Sequence, residues 1–148
     1  MSDREKDDDR EALERAEEDK VEGKAPSTQA GEFVREEMHH IREGKHGARS
    51  TKQAIAIGLS KARRAGVELP PPEEGKTSEE TREHAIRDTK KGSSGRRKAP
   101  SRTRSKATSK ALRREGRSAA SRSALASQAR SAARKRTPTE RSRAARKA

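Results

Sequence analysis

Ser50-Thr51-Lys52-Gln53-Ala54-Ile55-Ala56-Ile57-Gly58-Leu59-Ser60-Lys61-Ala62-Arg63-Arg64-Ala65-Gly66, followed by Val67 and by Pro70-Pro71-Pro72, is the most firmly punctuated stretch of the chain. Ser50 three residues ahead of Gln53 forms a capping box, in which each side chain can satisfy a backbone N–H that the first helical turn leaves open. Gly66 falls at the C′ position with Val67 at C″, placed to touch the turn of Ala62, and the three prolines forbid continuation. Ile55, Ile57 and Leu59 also alternate with period two, as in a half-buried strand. The alanine content, the signals at both ends and the Ala54-Ile55-Gly58-Leu59-Ala62 stripe favour a helix. Gly58 inside that helix costs about 1 kcal/mol relative to alanine. Close approach of the preceding helix is the compensation to expect.

Working outward, Phe33, Val34, Met38 and Ile41 recur at helical spacing between Gly31 and Gly44, giving one narrow apolar stripe. Gly44 ends that helix, and Lys45-His46-Gly47-Ala48-Arg49 reads as a short basic loop. The two helices then make a small αα-hairpin at residues 31–66. Beyond the Pro-rich break at 70–72, Thr77-Ser78-Glu79-Glu80 offers a second capping box. It opens a weak helix over 78–91, ended by Gly92, with only Ala85 and Ile86 to bury and therefore expected to be exposed and frayed.

The flanks differ sharply in charge. Residues 1–24 hold 11 acids and 6 bases, residues 25–92 hold 11 acids and 13 bases, and residues 93–148 hold 19 Lys or Arg against Glu115 and Glu140 alone. The leader reads as disordered or as a marginal solvated helix, with the favourably ordered pair Glu11–Arg15 and, beyond Met1, only Leu13 and Val21 as apolar residues. An acidic arm that folds back on the basic tail is a second reading of it. Leu, Ile, Val and Phe total 13 of 148 residues, far below the roughly 20 % at which apolar burial offsets chain entropy. The fold class expected is mostly disordered with short α-helices, a hairpin at 31–66, no β-sheet and no large core.

The tail is low in complexity, built from Arg, Lys, Ser, Ala and Thr. Ala107 to Arg136 lacks proline and is rich in helix formers, so a coil with nascent helix is expected in water, ordering when phosphate neutralises its charge. Thr137-Pro138-Thr139-Glu140 starts a last short helix to Lys147, with Pro at N1 and Glu at N3.

Phosphate binding needs reach and positive charge rather than a cavity, and Arg forks onto phosphate oxygens. The candidate nucleic-acid contacts are Arg96, Arg97, Lys98, Arg102, Arg104, Lys106, Lys110, Arg113, Arg114, Arg117, Arg130, Arg134, Lys135, Arg136, Arg146 and Lys147. Lys45, Arg49, Lys52, Lys61, Arg63 and Arg64 form a candidate second basic surface on the hairpin. The tail has no aromatic residue, so bases cannot stack on it, and duplex DNA is favoured over single strands. Non-specific DNA binding or compaction by a nucleoid-associated protein is the function expected. Two alternatives are a protein-interaction module docking through Phe33, Ile41, Ile55 and Leu59, and an RNA- or ribosome-associated basic protein.

Other chemistry finds little footing. Without cysteine there is no disulfide, thiolate ligand or thiol nucleophile. His39, His40 and His46 invite a metal reading, but adjacent helical residues diverge by about 100°. With no apolar shield evident, these histidines read as exposed or phosphate-facing. The carboxylates have no pocket to perturb them, and no Walker-type or dinucleotide-type glycine pattern occurs. No enzyme activity, cofactor, metal or small-molecule substrate is expected. The longest apolar run, Ala54 to Leu59, is too short to span a bilayer and the N-terminus lacks a signal-type segment, so a cytoplasmic, nucleoid location without membrane partners is expected.

The run Met38-His39-His40-Ile41-Arg42-Glu43-Gly44-Lys45-His46-Gly47, followed by Ser50-Thr51-Lys52-Gln53-Ala54-Ile55-Ala56-Ile57-Gly58-Leu59-Ser60-Lys61-Ala62-Arg63, resembles a family of small basic bacterial proteins. Its members share a KQAIAI-type helix after a Gly- and Lys-rich loop and are uncharacterised or loosely labelled DNA-binding or plasmid-stabilisation-like. The resemblance covers about 40 residues within Gly31 to Pro72. It implies a bacterial or phage origin and carries no catalytic or binding residues across. The tail is similar, in composition only, to bacterial linker-histone-like tails.

Overall fold

The computed structural model describes residues 3–95 and 101–147. They form seven α-helices, α1 (Asp3–Val21), α2 (Pro26–Arg42), α3 (Thr51–Arg64), α4 (Glu79–Ser93), α5 (Arg102–Arg113), α6 (Arg122–Arg134) and α7 (Pro138–Lys147), with a 3-10 turn at Ser118–Ala120. No strand occurs among the described residues. The α2–α3 hairpin is the centre: α1 packs on α2, α4 packs on α3, and the 3-10 turn with α6 closes over both central helices.

The expectation of a mostly disordered chain is overturned, and the reason lies in which residues do the burying. Of the thirteen buried apolar residues described, nine are alanine, a residue that a tally of large aliphatics leaves out. Ala12 and Ala16 of α1 meet Ala30, Phe33, Ala62 and Val67 in one cluster, with Leu13, Leu59 and Leu69 alongside. Met38, Ile41, Ala48, Ala54, Ala119 and Ala120 form a second, joined by Val34, Ile55 and Leu125. Small side chains let helix backbones approach closely and cost little side-chain entropy on ordering.

The leader is therefore no solvated arm. Ala12 and Ala16, one turn apart, bury completely or nearly so, and Arg15 Nε and Nη2 lie 2.8 and 2.9 Å from Glu32 and Glu36 of α2. The Lys24-Ala25-Pro26 break survives only as a short turn, because Pro26 sits at the start of α2, where its missing N–H costs nothing.

The hairpin follows its sequence signals closely. Ser50 Oγ accepts from Gln53 N at 3.1 Å, while Gln53 Oε1 accepts from Arg49 N at 2.7 Å, one residue earlier than the standard box. Val67 N donates to Ala62 O at 3.0 Å and Gly66 N to Arg63 O at 3.1 Å, which is the full Schellman pattern, with Gly66 at φ +104°. Gly44, at φ +78°, ends α2 with the same pair of bonds, from Lys45 N to His40 O and from Gly44 N to Ile41 O. A Cβ on Gly58 would stand 2.7 Å from Val34 Cα, so the two helices touch there, as its placement in mid-helix suggested.

α4 is docked rather than frayed. Ser78 is its N-cap, Ser60 Oγ donates to Asp88 Oδ2 at 2.6 Å, Ala85 is buried, and Gly92 lies inside the helix with its Cα against the Arg63 carbonyl.

The tail is likewise no coil over the described residues. Gly47 N donates to Leu112 O at 2.8 Å and Ala48 N to Gly116 O at 3.1 Å, so the loop after α2 is joined through its backbone to the last turn of α5 and to the turn that follows it. Thr51 Oγ1 and Arg42 Nε donate to Ala119 O and Ala120 O at 2.7 and 2.9 Å, which pins the 3-10 turn over the second cluster. At the far end, Thr137 and Glu140 exchange both bonds of a capping box and start α7 at Pro138, as their spacing implied.

Candidate functional site

Two charged features stand out, one on the surface and one inside. On the surface, fifteen Lys and Arg side chains are described between residues 101 and 146, and every one is exposed. None of the fifteen forms an ion pair among the described residues; the two acids of that region leave them alone, Glu140 facing Lys76 at 3.5 Å instead. Arg102, Lys106, Lys110 and Arg113 fall on one stripe of α5, with Arg114 beside it. Lys106, Lys110, Arg113 and Arg114 also line a shallow concavity with Ser105 and Ser109. A second concavity gathers Arg42, Arg117 and Arg122 beside Ser121, the N-cap of α6.

Of the residues named from sequence, Arg102, Arg104, Lys106, Lys110, Arg113, Arg114, Arg117, Arg130, Arg134, Lys135, Arg136 and Arg146 share this exposure. Arg122, Arg141 and Arg143 share it too and were missed, because the densest runs drew the selection. Arg96, Arg97 and Lys98 lie outside the described residues, as does the side chain of Lys147.

The second basic surface divides. Arg49, Lys52 and Arg64 are exposed. Lys45 pairs with Asp8 and, at 3.1 Å, with Glu43. Arg63 is buried, donating to Leu69 O at 3.3 Å and Pro70 O at 3.2 Å. Lys61 sits 2.5 Å from Glu37 Oε1 and 3.1 Å from Asp9 Oδ1. These three cations hold the fold together and are not available to a phosphate. The docking residues of the protein-partner reading are core as well: Phe33 and Ile41 are buried, and Leu59 and Ile55 pack against the two clusters.

The second feature is the ionic cluster that Lys61 enters. Glu37 and His40 are each 1 % exposed and His46 is 12 % exposed, so the reading of His40 and His46 as exposed is overturned; His39 alone of the three faces water. Glu37 and His40 lie one turn apart on α2, and the Gly44 reversal swings His46 back until its Nε2 is 3.1 Å from Glu37 Oε2. His40 Nδ1 is 3.6 Å from Glu37 Oε1, and His40 Nε2 is 3.2 Å from Asp8 Oδ2.

Burial alone would raise the Glu37 pKa, but His40, His46 and Lys61 overcome it and hold the carboxyl well below the usual range. Burial works against Lys61 too, and Glu37 and Asp9 reverse it, raising its pKa. Glu37 raises that of His46. Asp8 is lowered, chiefly by Lys45. The sequence does carry a signal for this cluster, Glu37-Met38-His39-His40, which places Glu37 and His40 on one face; weighing His39 against His40 hid it.

No helix among the described residues is long and apolar enough to cross a membrane. No curated protein and no solved structure shows detectable similarity to the chain. Residues 26–73, which span α2, α3 and the proline break, match the model of a family of unknown function (DUF6496), so the similarity to an uncharacterised family falls on the hairpin.

Proposed function

We propose that the chain binds duplex nucleic acid, DNA foremost, without sequence preference, through the exposed cations of α5, α6 and α7. The observation that carries the reading is the contrast in pairing. Cations of the α1–α4 body such as Arg15, Lys24, Lys45 and Lys61 are neutralised by nearby acids, whereas the fifteen described between 101 and 146 are exposed without an acidic partner among the described residues. Unpaired surface cations at that density attract phosphates by counterion release. The stripe on α5 runs over about 17 Å at 1.5 Å per residue, enough to face several phosphates. Absence of aromatic side chains from the region favours phosphate contact over base stacking. Association with the nucleoid follows from this reading.

Deleting the tail is a poor test, since Ala119 and Ala120 belong to the core. The test is the quadruple variant Arg102→Gln, Lys106→Gln, Lys110→Gln, Arg113→Gln, titrated against labelled duplex DNA at several salt concentrations. The log–log salt slope should become shallower by about 3–4, near 0.9 for each phosphate no longer neutralised. Unchanged slope and affinity in a variant that stays folded would refute the reading, and tighter binding to structured RNA than to duplex DNA would move it to RNA.

A further inference from the structure

We propose that Glu37, His40 and His46 form a binding site for a divalent transition-metal ion of the zinc type. One ligand atom from each lies within 4.8 Å of the others. In a tetrahedral zinc site with bonds of about 2.1 Å, ligand atoms stand about 3.4 Å apart. The distances here, 3.1 Å from His46 Nε2 to Glu37 Oε2 and 3.6 Å from His40 Nδ1 to Glu37 Oε1, bracket that spacing.

Two further observations point to a cation at this place. Both carboxylate oxygens of Glu37 are fully buried, and neither accepts a well-directed hydrogen bond. Each imidazole, moreover, has its far nitrogen committed to an acceptor. His46 Nδ1 lies 2.9 Å from Gly47 O, and a carbonyl can only accept, so that nitrogen carries the proton. His40 Nε2 lies 3.2 Å from the carboxylate of Asp8, which acts the same way. The nitrogens turned toward Glu37 are then lone-pair nitrogens in the neutral rings, and they meet a carboxylate. Such outer acceptors, one carboxylate and one backbone carbonyl, are what orients histidine ligands around a metal.

Lys61 supplies one positive charge to Glu37 Oε1 from the α3 side and has a second acceptor in Asp9. The metal ion is held by the two rings and the carboxylate, with Lys61 retained by Asp9. Two nitrogens and one oxygen suit zinc, cobalt or nickel, and the fourth position is left to water.

The experiment uses the untagged full chain, freed of metal by a chelator and titrated with Co2+ near pH 7.5. Wild type should take up one equivalent with the visible absorption of four-coordinate cobalt, displaced by Zn2+. Glu37→Gln and His46→Gln should each weaken Co2+ binding by more than tenfold, and Asp8→Asn by about 10–100-fold. His39→Gln, one residue from His40 but outside the cluster, should bind as wild type does. Helical circular dichroism keeps the variants comparable, and His46→Gln, at the rim, is the substitution the fold should best withstand. Absence of stoichiometric uptake, wild-type affinity in folded His46→Gln, or equal loss in His39→Gln would each overturn the proposal.

Discussion

Gly58→Ala should destabilise the protein, although helix propensity alone points the other way. An alanine in mid-helix is worth about 1 kcal/mol over glycine. At this position, however, the new Cβ would stand 2.7 Å from Val34 Cα and 2.9 Å from Val34 N and Cγ2. Two of those atoms belong to the α2 backbone, so rotamer change cannot clear them, and the helices must separate by roughly 1 Å to reach ordinary contact. Overpacking of this kind costs about 1–3 kcal/mol. The upper part of that range applies, because both apolar clusters span the α2–α3 seam. Offsetting the propensity gain leaves a net loss of about 2 kcal/mol, or about 4–8 °C in melting temperature for a chain of this length. Gly31→Ala is the control, since Gly31 lies within α2 with nothing within 4 Å of its would-be Cβ. It should raise the melting temperature by about 2–4 °C. Thermal melts followed by circular dichroism at one pH and salt compare the three proteins. A Gly58→Ala protein that melts at or above wild type would refute the close-approach argument.

Ala120→Asp places a carboxylate at a fully buried position of the second cluster. An opening free energy lowered by about 2 kcal/mol raises the open population roughly thirtyfold, so trypsin should cut at Arg113, Arg114 and Arg117 faster by a similar factor. Unchanged cleavage there would mean that this segment is not held by the core. Glu140 illustrates pH dependence: its carboxylate accepts from Thr137 N at 2.7 Å, and that bond, ahead of the Thr137 hydroxyl and Lys76, lowers its pKa from the ordinary 4.5. The folded state binds this proton less readily than the unfolded chain, so the cap's contribution is complete above pH 4.5 and is lost as pH falls through the lowered value. The Thr137 amide resonance should titrate in that acid window and lose the transition in Glu140→Gln.

Local signals along the chain were legible at most places where a cap or stop is written in adjacent residues, Gly92, which α4 runs through, being an exception. Ser50, Gly58, Gly66 with Val67, and Thr137 with Glu140 each do in the structure what their spacing implies. What escaped is long-range and carried by groups without distinctive sequence signatures. The bonds from Gly47 and Ala48 to Leu112 and Gly116 run between backbones about 65 residues apart, and any residue can make them. Ala12 and Ala16 do show helical spacing in α1, but alanine is as common on open helix faces as in cores. Lys45, Lys61 and Arg63 look like surface cations until Asp8, Glu37 and the Leu69 carbonyl are set beside them. Composition measured the scarcity of large side chains correctly and misjudged what small ones and internal ion pairs can close.

The turn from Leu112 to Leu125 is both a lid on the second cluster and the mount for Arg113, Arg114, Arg117 and Arg122. An anion bound as proposed by those arginines would be held by the same segment that covers the second cluster. By mass action, such a ligand would stabilise the packing of α2 and α3 as well, by about 2.7 kcal/mol at one hundred times its dissociation constant. Melting temperature would then report occupancy of those arginines, and deleting this segment would remove binding residues and core residues together.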